Sequence, residues 1–199
     1  MNYLAHARLS FDQPEILVGN MISDFVKGKK KFDYNEGIQK GITLHRNIDT
    51  FTDEHEATKQ AKQFFKPAVG LYAGAFVDVA YDYFLANDEN EFKDNEALLD
   101  FSLSVYSALD AYQQSFPQKF SRLFSHMKKE NWLYNYRTLW GIEKSFGGLM
   151  HRAKYLEYNA VVFESFQKNY VPLQICYQSF FPAVKAFAHH RFITINNLH

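Results

Sequence analysis

The chain has 199 residues, of which 47% are hydrophobic, and its 22 basic and 22 acidic residues give a formal net charge of +0. This composition argues against disorder and gives no global attraction for nucleic acid. A single cysteine, Cys176, excludes an intrachain disulfide framework and a cysteine-rich zinc site. The sequence contains no apolar run of membrane-spanning length and no secretory leader, so we expect a cytoplasmic protein.

Helical periodicity dominates the chain and predicts an all-α, single-domain protein over residues 1–199. Pro14 suits the first turn of the first predicted helix and Gly28 its end, whereas Thr52 or Asp53 suits a helix cap and Pro67 a helix end. The tail 193–199 is expected to be frayed. In chain order, the predicted helices cover residues 14–27, 35–51, 52–65, 72–85, 95–116, 117–130, 138–151, 156–169 and 172–191.

Two aspartates lie four residues apart in the predicted helix 72–85. This spacing places Asp78 and Asp82 on one helical face, among residues that are nearly all apolar. Two like charges in such surroundings are unfavourable unless a positive group compensates them, and a divalent cation does so well. The alternative is that one aspartate pairs with an arginine and the other is solvated.

A second pair with the same spacing is His45 and Asp49. Both side chains can bind a metal, or Asp49 can fix the tautomer of His45, but surface His–Asp pairs are also common. Asp24 lies near the predicted C-terminal end of its helix, where the helix dipole disfavours a carboxylate. A ligand role and a capping or surface role are equally open for Asp24. His6, taken alone, is more typical of a core histidine.

The number of such residues in the first 82 positions favours a shared metal site. Mixed nitrogen and oxygen donors of this kind suit Mn²⁺, Fe²⁺, Zn²⁺ or Mg²⁺. There is no glycine-rich phosphate loop, and Cys176 has no evident catalytic partner in its local sequence. The candidate ligands are His6, Asp24, His45, Asp49, Asp78 and Asp82.

The segments that carry these residues resemble the acyl carrier protein phosphodiesterase (acyl carrier protein hydrolase) family. Its motifs are Asn-x-Leu-Ala-His at residues 2–6, Gly-Asn-x-x-x-Asp-Phe-Val-(Lys/Arg)-Gly at 19–28 and Gly-Ile-x-x-His-Arg-x-Ile-Asp at 41–49, followed by Thr-Asp at 52–53. An Asp-Val-x-x-Asp-His-Phe-Leu segment corresponds to residues 78–85, where Tyr83 replaces the usual histidine. A looser likeness, Trp-Leu-x-x-Tyr-Arg at 132–137, extends the resemblance over most of the chain.

The resemblance implies a helical, distorted relative of the HD-domain phosphohydrolases, with Mn²⁺ as the favoured metal. The implied reaction is hydrolysis of the phosphodiester that links 4′-phosphopantetheine to a serine of holo-acyl carrier protein, which yields the apo-carrier. Two alternatives are a metal phosphohydrolase acting on a nucleotide or another small phosphoester, and a non-catalytic, carrier-binding helical protein.

The HD pattern also implies roles for individual residues. The implied metal ligands are His6, Asp24 and one of Asp78 and Asp82, and Ser23 replaces the histidine of the His-Asp doublet. His45 and Asp49 would complete the site or activate water. Arg46 is placed to neutralise developing charge on the phosphoryl group. Lys27 is a candidate contact for the substrate. It opens a basic run with Lys29, Lys30 and Lys31, which is more typical of a solvated face than of a docking surface for an acidic carrier.

Overall fold

A computed structural model describes residues 1–153 and 161–197, and all regular structure in these residues is helical, which confirms the predicted fold class. None of the helices in these residues has the length and apolar character needed to cross a membrane. The α-helices are α1 Tyr3–Arg8, α2 Pro14–Ile22, α3 Glu36–Glu54, α4 Glu56–Val69, α5 Ala73–Ala86, α6 Asn95–Asp110, α7 Gln118–Lys129, α8 Trp132–Asn135, α9 Leu139–Arg152, α10 Val161–Lys168 and α11 Tyr170–Asn196.

Several boundaries in the first half differ from the prediction. α2 ends at Ile22, and Asp24 lies in the following 3-10 turn rather than in a helix that reaches residue 27. α3 continues through residues 52–53, so neither Thr52 nor Asp53 caps α4. The cap is His55, whose Nδ1 accepts a hydrogen bond from the backbone N–H of Ala57 at 3.2 Å. A buried Thr52 satisfies its own hydroxyl within α3 and is therefore not available as a cap.

Proline and tail predictions were also wrong in part. Pro67 lies inside α4, which ends only at Gly70, a residue with the positive φ of 54° that glycine adopts without strain. α6 ends at Asp110 instead of near residue 116. α11 stays helical to Asn196, well into the tail that was expected to fray. The predicted start of α10 at residue 156 lies outside the described residues. Neither α1 nor α8 was assigned a helix from the sequence.

Aromatic side chains fill the space between the helices. Phe65 of α4, Phe76 of α5 and Phe146 of α9 are fully buried, with ring centroids 5.2 to 6.1 Å apart. Tyr81 of α5 stacks on Phe180 of α11 at 5.0 Å. Contacts of this kind add to the area that each ring buries. They make α5 a central helix, as its nearly continuous apolar sequence predicts.

Two glycines allow α2 and α3 to touch along their backbones. A Cβ atom on Gly19 would lie 2.3 Å from the carbonyl oxygen of Ile38, and one on Gly41 would lie 2.4 Å from that of Ile16. Both distances are far below van der Waals contact, so only glycine fits at this crossing. The crossing brings the turn that carries Asp24 against the middle of α3.

α1 is a short helix that depends on a buried carboxylate of α5. Asp82 is 0% exposed, and its two oxygens accept hydrogen bonds from the backbone N–H groups of Leu4 at 2.8 Å and Ala5 at 3.1 Å. These are first-turn donors that have no partner within the helix. Burial raises the pKa of Asp82 to about 7, although the two N–H groups oppose this shift. Asp82 therefore anchors α1 on the central helix.

We predict that Gly41→Ala destabilises the protein, because the new methyl group overlaps the backbone of α2. Overpacking of this kind typically costs about 1–3 kcal/mol. The control is Gly148→Ala in α9, where an added Cβ meets no atom within 4 Å. Replacing this glycine stabilises the helix by about 0.5–1 kcal/mol. Urea unfolding of both variants measures the difference, and equal stability would contradict the close crossing.

We predict that Asp82→Ala leaves the N–H groups of Leu4 and Ala5 buried without partners. Each unsatisfied buried donor costs about 1–3 kcal/mol, so the midpoint of urea unfolding should fall sharply. Asp100→Ala removes an exposed carboxylate from α6 and serves as the control. If both variants unfold at the same urea concentration, Asp82 does not anchor α1.

Candidate metal centre

Two buried histidines from different helices stack on one another. His6 of α1 is 3% exposed and His45 of α3 is 5% exposed, and their ring centroids are 4.0 Å apart with an interplanar angle of 17°. The Nδ1 atoms of both rings are buried without a hydrogen-bond partner among the described residues. Buried polar atoms are rarely left in this state, so the pair indicates a binding function.

The two imidazoles differ in protonation. Burial and the neighbouring His45 lower the pKa of His6 to about 4, so His6 is neutral at physiological pH. Burial also lowers the pKa of His45, but hydrogen bonds with Asp24 and Asp49 outweigh it and raise this pKa to about 9. The neutral ring of His6 is already in the form that binds metals, whereas His45 must lose a proton to bind one.

Asp49 connects the two rings. Its Oδ1 lies 3.2 Å from Nε2 of His6, and its Oδ2 lies 3.0 Å from Nε2 of His45, one turn earlier on α3. Burial raises the pKa of Asp49, but the two imidazoles lower it by more, so the carboxylate is ionised. One ligand atom from each of the three residues lies within 4.8 Å of the others. Two imidazole nitrogens and a carboxylate oxygen are a donor set that fits a divalent transition metal.

Asp24 approaches the same point from the turn after α2. Its Oδ1 lies 3.3 Å from Nε2 of His45, and its side chain is 69% exposed. The hydrogen bond with His45 is the main reason that the pKa of Asp24 is lowered. Asp24 is therefore an ionised group at the solvent side of the site.

Asp78 joins the cluster through a positive charge. The N-terminal ammonium of Met1 lies 3.1 Å from Oδ1 of Asp78 and 3.5 Å from Oδ1 of Asp49. Burial lowers the pKa of this ammonium, but the two carboxylates raise it to about 10. Burial raises the pKa of Asp78. The cluster thus attracts positive charge, here supplied by the ammonium and by the proton on His45.

The structure brings five of the six candidate ligands together. Asp82 is the exception, because both of its oxygens are engaged by α1. Asp78 and Asp82 therefore share one face of α5 but have different environments: Asp78 lies in the cluster, and Asp82 binds the first turn of α1. The five that meet are His6, Asp24, His45, Asp49 and Asp78.

The two basic residues predicted to contact the substrate, Arg46 and Lys27, lie beside the site and not in it. Nη2 of Arg46 donates a hydrogen bond to the carbonyl of Val26 at 2.9 Å, and so braces the turn that holds Asp24. Lys27 is exposed, and neither cation lines the cavity above the imidazoles. Tyr83, which replaces the family's usual histidine, is 8% exposed. Its ring contacts aromatic rings of α10 and α11, and Tyr83 does not line the cavity above the imidazoles.

A cavity of about 180 Å³ opens over the two imidazoles. Its lining includes Asn20 and Arg152, to which the sequence analysis assigned no role. Asn20 donates from Nδ2 to Oγ of Ser10 at 2.9 Å and to the carbonyl of His6 at 3.3 Å, which holds α1 in place. The Gly-Asn motif, which contains Asn20, was the feature of the sequence that could have indicated its role. Arg152, at the end of α9, lies in no motif, and only the fold brings it to this cavity.

Comparison with known proteins identifies the family. The model for acyl carrier protein phosphodiesterase matches residues 1–184. A Yersinia pestis protein of that name is 30% identical over 191 residues, which cover 96% of this chain and 99% of the relative. Those from Klebsiella pneumoniae and Photorhabdus laumondii are each 28% identical, over 96% and 92% of this chain and 99% and 92% of their own lengths.

No solved structure matches the chain significantly. The sequence match extends from α1 into α11 and includes every residue of the cluster described above. This agreement confirms the resemblance seen in the sequence motifs. The chain belongs to the acyl carrier protein phosphodiesterase family.

Proposed function

We propose that this protein is a metal-dependent phosphodiesterase that hydrolyses 4′-phosphopantetheine from holo-acyl carrier protein. The names of its relatives support the reaction. One observation carries the metal dependence: His6, His45 and Asp49 present ligand atoms within 4.8 Å of one another beneath an open cavity. A divalent cation held there would serve the hydrolysis of a phosphodiester.

The proposed ligands are His6, His45 and Asp49, with Asp24 and Asp78 beside them in the same cluster. Mn²⁺ is the expected metal, since the family resemblance implies it and this donor set suits it. When bound, such a cation supplies Lewis-acid polarisation of the phosphodiester. Of the two roles predicted for His45 and Asp49, completing the metal site or activating water, this assignment adopts the first.

Two aspartates remain to handle water and protons. Asp24 is ionised and exposed at the cavity, so it can accept a hydrogen bond from the attacking water and orient it. Loss of hydration on partial burial raises the pKa of Asp78, which makes it the stronger proton acceptor of the two. We assign the orienting role to Asp24 and the proton-accepting role to Asp78.

We assign to Arg152 the role of binding the negatively charged phosphodiester of the substrate. Its exposed guanidinium lines the cavity that contains the imidazoles, whereas Arg46 is bound to the carbonyl of Val26. A guanidinium can donate two parallel hydrogen bonds to phosphate oxygens. In the reaction, water attacks phosphorus, the bond from phosphorus to the serine oxygen breaks, and the serine oxygen takes up a proton.

The decisive experiment is mass spectrometry of holo-acyl carrier protein after incubation with this protein and Mn²⁺. We expect the carrier to lose the mass of 4′-phosphopantetheine minus one water molecule, which hydrolysis adds to the products, and free 4′-phosphopantetheine to appear. Treatment with a chelator should stop the reaction, and added Mn²⁺ should restore it. A panel of nucleotides is assayed in parallel. Intact carrier together with rapid nucleotide hydrolysis would favour the small-phosphoester alternative.

We predict that His6→Ala removes both metal and activity, because His6 supplies a neutral buried imidazole to the site. Turnover of holo-carrier should fall by at least roughly 100-fold, since even groups behind a ligand cost 10–100-fold when mutated. The control is His126→Ala, which removes an exposed imidazole from α7. Bound manganese is measured by elemental analysis of both variants. A folded His6→Ala protein with full manganese content and turnover would contradict the assignment.

A further inference from the structure

A second cavity of about 300 Å³ adjoins the metal centre. It lies among the start of α1, the helix α5, and the helices α8 and α9. The two cavities share five residues in their walls, so they lie side by side. We call the second cavity the side groove. The shared residues are Asn2, Tyr3, Val79, Leu149 and Arg152.

The side groove combines an aromatic wall with a floor of small residues. Trp132, Tyr136 and Trp140 form part of the wall, and Gly148 leaves open space, because a Cβ atom there would meet nothing within 4 Å. The far end is open, since Trp140 is 54% exposed. The groove is thus a cleft that lies beside the candidate metal centre and is open to solvent.

Polar groups of the groove are held in place by the protein. The indole N–H of Trp132 donates to Oε2 of Glu130 at 3.1 Å, and Nδ2 of Asn2 donates to the hydroxyl of Tyr136 at 2.9 Å. Ser145 adds a hydroxyl to the same lining. A mainly apolar site with a few fixed polar groups is typical of small-molecule binding sites.

We infer that the side groove binds the pantetheine arm of the carrier during hydrolysis. This inference rests on the proposed function and names the subsite that recognises the substrate. A phosphodiester at the metal centre has the carrier serine on one side and the arm on the other. The arm carries a dimethyl group, a hydroxyl and two amides, so it requires apolar walls with both hydrogen-bond donors and acceptors. The side groove offers these, and it begins at Arg152, the proposed phosphate contact.

The geometry fits an extended arm better than a flat base. The ammonium of Lys144 lies 4.2 Å from the centroid of the Trp140 ring and occupies one of the two faces on which a nucleobase could stack. An arm can instead run along the edges of the aromatic wall and over Gly148. The cation–π contact would be lost if a base displaced Lys144, which makes that exchange unfavourable.

The test fills the groove with Gly148→Phe. The new ring enters open space within a helix, so the fold should be retained, and thermal unfolding checks this. We expect kcat/KM for holo-carrier to fall by about tenfold or more relative to that for bis(p-nitrophenyl) phosphate, a small diester without the arm. Binding of pantetheine to the metal-free protein, measured by saturation-transfer NMR, should be lost.

The matched control is Glu143→Phe, which adds the same ring at an exposed position of α9 outside the groove. It should keep both pantetheine binding and turnover of holo-carrier. Trp140→Ala is a second variant that removes part of the wall without adding bulk, and it should weaken pantetheine binding. Pantetheine binding by Trp140→Ala and by Glu143→Phe can be measured even if Gly148→Phe does not fold.

The outcomes separate the two proposals. If Gly148→Phe and the wild-type protein hydrolyse holo-carrier equally well, the groove does not hold the arm, although the proposed function stands. Binding of adenosine but not of pantetheine to the groove would also overturn the inference. If the wild-type protein cleaves the small diester but leaves holo-carrier intact, the proposed function itself fails.

Discussion

Negative charge held next to buried imidazoles is the constraint on which the site depends. Asp24, Asp49 and Asp78 surround two stacked rings, and carboxylates so close together repel one another unless positive charge compensates them. Metal-free, the protein meets this need with a proton on His45 and with the Met1 ammonium. A divalent cation would meet it with greater charge at one point, which is the physical reason for assigning a metal.

The helices that carry the site are fixed by two further contacts of different kinds. At the α2–α3 crossing, Gly19 and Gly41 allow the backbones to touch, and Asp24 is thereby brought near His45. On the other side, Asp82 binds the first turn of α1 and so brings His6 over His45. Both contacts are buried and leave little freedom, as a metal site requires of its supporting residues.

Under our proposals, chemistry and substrate recognition take place in two adjacent cavities. The polar cavity holds the imidazoles and carboxylates, while the side groove is mainly apolar and built from α8 and α9. Arg152 lies where the two meet. This separation suits a substrate with a charged diester and a long, weakly polar arm, because each part finds walls of matching polarity.

The sequence by itself determined the all-helical class and most helix positions, and it predicted the residue types of the candidate metal centre. This was possible because residues four positions apart in a helix, such as His45 and Asp49, lie on the same helical face. The spacing of residues along one helix does not show which groups of another helix contact that face. Only the tertiary structure decided that Asp78 joins the cluster while Asp82 anchors α1, and that Arg152 reaches the cavity. These outcomes depend on contacts between residues more than 70 positions apart, which no local pattern encodes.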